Sequence, residues 1–96
     1  MKVTWSTTGK AHLQNIYAFL EVHSPNYARR TIDRLVLAAD LLGDFPEMGR
    51  VVPELDDLGM REVVASPYRI IYQVQNGYIE IVAVAHSAQG ELPPLP

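Results

Sequence analysis

The sequence predicts an α+β, two-layer domain of order β-α-α-β-β-β, in which a helix hairpin packs on a small antiparallel sheet. Three observations carry that prediction. The stretch Ser66–His86 holds two apolar runs separated by Asn76-Gly77, and Asn-Gly tolerates positive φ at both centres of a two-residue type I′ hairpin turn. Between Lys10 and Leu42, apolar residues recur twice at helical spacing. Ahead of them, Lys2–Ser6 alternates and is rich in β-formers. Two helices that each carry one apolar stripe must bury it, and one face of the sheet is the layer available.

Each element has its own local reason. In Lys2–Ser6, Val3 and Trp5 face inward. Thr7-Thr8-Gly9 breaks the strand, and either threonine suits a helix N-cap. The first helix covers Lys10–His23 with Leu13, Ile16, Tyr17 and Leu20 on its stripe; His12 and His23 fall off that stripe, as solvated residues. Ser24-Pro25 restarts the helix, with serine as N-cap and proline where no amide donor is needed. The second helix runs to about Leu42, burying Ala28, Ile32, Leu35, Ala39 and Leu42, and Gly43 fits C′. Arg30 and Arg34 stand one turn apart on its outer face. Asp44–Asp57, punctuated by Pro46, Gly49 and Pro53, reads as irregular. Met60–Ser66 is a short strand, and the hairpin follows. The chain reads as one domain, 1–96, with 88–96 as a tail that lies extended over the surface or stays mobile, three of its last four residues being proline.

A two-residue turn at Asn76-Gly77 sets a register: Val74 opposite Ile79, Tyr72 opposite Ile81, Ile70 opposite Ala83 and Arg69 opposite Val84. Side chains alternate between faces. One face then carries Tyr68, Ile70, Tyr72, Ile79 and Ile81. The other carries Arg69, Ile71, Val82 and Val84, with His86 a diagonal neighbour of Arg69. That second face is an apolar patch rimmed by a guanidinium and an imidazole, which reads as a docking or reaction surface or as a patch covered by the C-terminal tail, with Arg69 in a structural ion pair.

Composition excludes much. Ninety-six residues without cysteine leave no disulfide, thiolate nucleophile or cysteine-based zinc site. His12, His23 and His86 lack metal-motif spacing, so no metal or other cofactor is expected. No apolar run spans a membrane, and the N-terminus lacks a signal-peptide core, so the expected location is cytoplasmic. The net charge of −3 does not favour direct nucleic-acid binding. P-loop, dinucleotide and nucleophile-elbow motifs are absent. What remains is a polar set around the second face: Glu54, Arg61, Arg69 and His86. A carboxylate, a guanidinium and an imidazole can cleave RNA without metal. Glu54 would take the 2′-hydroxyl proton, Arg69 neutralise charge on phosphorus, and His86 protonate the departing oxygen.

Trp5 on an alternating first strand, two amphipathic helices, the loop FPEMGRVVPEL, then REVVASPYRIIYQV and YIEIVAVAH, together resemble the RelE/ParE superfamily of bacterial toxins over Val3–His86. The resemblance implies the β-α-α-β-β-β fold, a cytoplasmic toxin of a type II toxin–antitoxin system, and a cognate antitoxin, through which alone the chain meets DNA. One branch cuts mRNA on the ribosome; the other inhibits DNA gyrase. Arg69 matches the phosphate-binding arginine of the cleaving branch, and Glu54 and His86 stand near its acid and histidine. The chain departs from that branch in having Met60 and Glu62 in place of lysines, and Ser87-Ala88-Gln89 in place of basic or aromatic residues. The VPEL loop and the Arg61-Glu62 pair look more like ParE.

The expected function is therefore a ParE-like gyrase inhibitor that causes growth arrest and plasmid stabilisation. The alternatives are a ribosome-dependent mRNA endonuclease using Glu54, Arg69 and His86, and an inactive homologue that binds antitoxin and co-represses the operon. Arg61, Ile71, Val82 and Val84 are the expected antitoxin or target contacts, and Val84→Asp is expected to weaken antitoxin binding. The docking surface, the nuclease set and with them the physical footing of the toxin assignment require Arg69 and His86 on the same face of the sheet.

Overall fold

A computed structural model describes residues 1–86, except for the side chains of Glu54, Asp56 and Asp57. The elements are β1 (Lys2–Trp5), α1 (Thr7–Glu21), α2 (Pro25–Leu41), β2 (Arg50–Val51), a short 3₁₀ segment (Pro53–Leu58), β3 (Met60–Ala65), β4 (Tyr68–Val74) and β5 (Tyr78–His86). The predicted order is present, with one addition: the loop read as irregular contributes β2, a two-residue edge strand, and then the 3₁₀ segment. The tail beyond 86 lies outside the described residues.

The sheet runs β1-β5-β4-β3-β2 and is mixed, because β1 pairs parallel with β5 while every other pair is antiparallel. The connection from β1 to β5 passes through the helix hairpin and strands β2 to β4, long enough to let β1 and the last strand run the same way, which no hairpin can do. α1 packs on β5 and β1, and α2 packs on α1 and touches β3. The main core lies between the helices and one sheet face, built from Leu35, Ala39, Leu42, Ile70, Tyr72 and Ile81. A smaller core on the opposite face joins Val52, Met60, Ile71, Val82 and Ala83, with Leu55 packed against it.

The caps explain the helix starts. Ser6, one residue earlier than the expected threonines, caps α1 by accepting from the Gly9 N–H at 2.9 Å. Ser24 caps α2 by accepting from the Tyr27 N–H, with Pro25 behind it as expected. Gly43 has no positive φ; it is small because a Cβ there would meet the Met1 carbonyl at 2.4 Å.

Two differences in the hairpin matter for function. Gly77 has φ +87° but Asn76 stays at negative φ, so the turn has the φ pattern of type II and not I′. The register next to the turn is the predicted one, Val74 to Ile79 and Tyr72 to Ile81. Beyond it the pairing slips: Ile71 meets Ala83, Ile70 meets Val84, Arg69 meets Ala85 and Tyr68 meets His86. Val82 is the extra residue of a β-bulge. A one-residue slip moves every later side chain to the other face.

Candidate functional site

The slip rebuilds the expected site. Val84, 4% exposed, belongs to the main core under the helices and not to the second face. From there it presents no open surface, so Val84→Asp is expected to bury a carboxylate and destabilise the fold, and a loss of antitoxin binding by that variant would not by itself report a contact at Val84. His86 also crosses over. It lies opposite Tyr68, and the two rings meet edge to face at 5.4 Å between centroids. Arg69 remains on the second face, opposite Ala85 and Val64. Guanidinium and imidazole thus stand on opposite sides of the sheet, so the geometric footing of the shared docking surface and of the nuclease set is lost, and, contrary to expectation, the toxin assignment does not depend on that juxtaposition. Glu54 falls in the 3₁₀ segment, and its side chain lies outside the described residues.

The second face is organised by Glu62, which the sequence offers as a departure from the cleaving branch and as part of the ParE-like Arg61-Glu62 pair, with no structural role expected of it. Its side chain is fully buried. Arg50 Nε donates to Oε1 at 2.6 Å, and Arg69 Nε donates to Oε2 at 2.5 Å, with Arg69 Nη2 also on Oε2. One carboxylate therefore ties β2 and β4 to β3. The signal was present in the sequence. Ser66-Pro67 is a two-residue turn, so Val64 faces Arg69 and Glu62 faces Ile71, which makes Glu62 the diagonal neighbour of Arg69 on one face. Ile71 and Val82 are on this face as expected, yet neither is open: both are buried in the smaller core with Val52.

Arg61 points to the helix side. Its Nη1 donates to the carbonyls of Gly49 at 2.7 Å and Glu47 at 3.4 Å. Tyr72 fixes the same loop, donating its hydroxyl to the Pro46 carbonyl at 2.7 Å and accepting from the Gly49 N–H at 2.9 Å. Burial pushes the Tyr72 hydroxyl pKa up, and the Gly49 hydrogen bond partly opposes that. Gly49 is required by close approach, since a Cβ would lie 2.5 Å from the Glu62 carbonyl and 2.7 Å from the Tyr72 hydroxyl. His12, expected to be solvated, is half-buried: its Nδ1 accepts from the Val84 N–H at 3.1 Å, next to the bulge. Desolvation lowers its pKa.

Among the described residues no group of three histidine or acidic side chains is placed to hold a metal, and no helix is long and apolar enough to cross a membrane. What the fold and this face define is a small α+β protein with the RelE/ParE toxin architecture, its second sheet face filled by an ion-paired carboxylate and its own loop. Residues 3–90 match the sequence model described as the ParE toxin of the type II toxin–antitoxin system parDE. The chain therefore belongs to the ParE toxin family of type II toxin–antitoxin systems, within the RelE/ParE superfamily. It is 37% identical over 89 residues to a protein named Toxin RelE2 from Caulobacter vibrioides, covering 92% of this chain and 97% of that one. It is 28% identical over 90 residues to Putative toxin Y4kP from Sinorhizobium fredii, covering 92% and 90%. The fold is shared with a solved chain of the chromosomal ParDE system of P. aeruginosa, at TM-score 0.73 and 22% identity over 90% of this chain and 95% of that one. Membership of the family implies a cognate antitoxin.

Proposed function

We propose that this chain arrests growth by binding DNA gyrase, as an inhibitor without a reaction centre, and that its antitoxin holds it in check. The observation that supports this most is the engagement of Arg69. A guanidinium that neutralises charge developing on phosphorus must aim its N–H groups at that phosphate. Here Nε and Nη2 both lie on the buried carboxylate of Glu62, and the imidazole needed at the departing oxygen is across the sheet. The net charge of −3 adds to this, since a nuclease seated among ribosomal phosphates gains affinity and encounter rate from basicity.

A second reading, a ribosome-dependent mRNA endonuclease, draws support from the relative named Toxin RelE2; it requires Glu62 to release Arg69 on the ribosome. A gyrase supercoiling assay with the purified chain separates the two. The expected result is loss of supercoiling at micromolar toxin, unchanged by His86→Ala and reversed by antitoxin. Intact supercoiling together with toxin-dependent cuts in mRNA in a translating extract would overturn the proposal in favour of the nuclease. Harmless expression without antitoxin would instead indicate a homologue that only binds antitoxin and represses its operon.

A further inference from the structure

One flank of α2 carries a row of side chains that the core does not use. Tyr27, Arg30, Arg34, Leu37 and Leu41 recur at three- and four-residue intervals, which aligns them along the helix. All five are exposed, Leu37 by 65% and Leu41 by 44%. The row changes chemistry along its length. At the N-terminal end Tyr27, Arg30, Thr31 and Arg34 line a hollow of about 210 Å³, and no residue of the row is acidic. Just beyond the C-terminal end of the helix, exposed Phe45 and Met48 line, with Met1, Pro46, Glu47, Arg61 and Val74, a mainly apolar groove of about 920 Å³. From Tyr27 to Leu41 the row is about 21 Å long at the α-helical rise.

A cluster of exposed large apolar side chains marks an interaction site, and a cationic end on a chain of net charge −3 selects an acidic occupant. We infer that a segment of the antitoxin lies along this flank of α2. Its carboxylates meet Arg30 and Arg34, and its apolar side chains cover Leu37 and Leu41 and enter the groove at Phe45 and Met48. This rests on the chain being the toxin of a toxin–antitoxin pair. The assignment gives the segment a polarity, acidic at one end and apolar at the other, and the spacing suits an amphipathic helix with anchors at i, i+3 or i+4, and i+7. Arginine–carboxylate contacts are charge-assisted and fix register. Arg61 takes a different role, since its Nη1 is held by the loop carbonyls of Glu47 and Gly49; it shapes the groove wall.

The test uses the full-length chain and the full-length antitoxin encoded beside it, with affinity measured by calorimetry. Arg30→Glu with Arg34→Glu is expected to weaken binding at least about tenfold at ~50 mM salt, with the loss shrinking at ~500 mM salt as screening sets in. Leu41→Asp is expected to weaken binding by a similar factor at both salt concentrations. Arg29→Glu, on a different side of α2 where Arg29 bonds Asn26, is expected to leave affinity within about twofold. Unfolding midpoints of each variant report folding, and Arg30→Gln with Arg34→Gln repeats the test without charge reversal. Lysine substitutions at antitoxin carboxylates that restore binding to the Arg30→Glu, Arg34→Glu variant would fix the polarity. Binding by that folded variant within twofold of wild type at low salt would overturn the proposal. A wild-type chain that binds no product of the adjacent gene would overturn the antitoxin reading itself, and this proposal with it.

Discussion

Glu62 is buried with two arginines of unequal exposure: the Arg69 side chain is 13% exposed and that of Arg50 is 72% exposed. Their energetic weights differ accordingly. Removing one member of a buried pair leaves an uncompensated charge and costs about 3–5 kcal/mol, whereas an exposed pair contributes about 0–1 kcal/mol. Glu62→Gln is therefore expected to lower stability by about 3 kcal/mol, because the buried carboxylate that ties Arg69 and Arg50 to β3 is lost from a mostly dry setting. Arg50→Gln is expected to cost less than about 1 kcal/mol. Urea midpoints of the two variants check this; equal losses would mean that the pair is not sequestered as its burial indicates. The same residue shows how far a sequence carries. The residue types of the second face were legible, and so was the possibility that Arg69 makes a structural ion pair. Its acid was missed because the two-residue turn at Ser66-Pro67, which places Glu62 beside it, went unused as a register constraint.

The element that decides the site is the bulge in β5. Its neighbourhood is tied to the start of α1 by three hydrogen bonds: the Ser6 N–H to the Ile81 carbonyl at 2.9 Å, the Ser6 hydroxyl to the Val82 carbonyl at 3.2 Å, and the Val84 N–H to His12 Nδ1 at 3.1 Å. The slip frees the Val84 amide from regular pairing, and His12 accepts it. A protonated imidazole donates at both nitrogens and loses that acceptor. Desolvation holds the folded pKa of His12 below the ordinary imidazole value of about 6.5. The stabilisation is thus fully present above that value and is lost as pH falls below it towards the folded pKa, because the unfolded chain takes up the proton first. The urea midpoint is expected to fall between about pH 7.5 and pH 5.5, and His12→Gln, whose amide oxygen can still accept, is expected to fall less steeply. Parallel slopes for the two proteins would remove His12 from the account. None of this was legible beforehand. Helical periodicity read His12 as solvated, whereas it is half-buried against β5, and an Asn-Gly turn fixes register only nearby. IVAVAH contains no glycine or proline to signal an inserted residue, so Val84 and His86 were assigned to the wrong side.

At the scale of the whole molecule, both faces of the sheet carry packed apolar residues, one under the helix hairpin and the other around Val52 and Leu55, while Val64 on that second face stays exposed. This is why β4 reads as a nearly continuous apolar run, YRIIYQV, in place of a strict alternation. The fold class followed from the sequence because each element carried its own caps and stripes. The parallel pairing of β1 did not, since pairing across 75 residues leaves no local signature. With the middle of the sheet packed on both sides, the charge of the chain acts from its surface, and a total of −3 sets how the chain meets polyanions. Phosphate contacts by lysine and arginine release counterions, so such binding has a steep salt dependence and needs local positive charge in quantity. Here Arg30 and Arg34 are the cations of the exposed α2 row, while Arg50 and Arg69 share one carboxylate. The purified chain is therefore expected to pass through a heparin column unretained at ~150 mM salt, where the screening length is about 8 Å, and to stay in the supernatant when ribosomes are pelleted from the same buffer. If gyrase is the target, the chain instead co-elutes with gyrase on gel filtration under those conditions. Retention on heparin together with ribosome co-sedimentation that competes with tRNA would show that the net charge misleads and would return the ribosomal reading to first place.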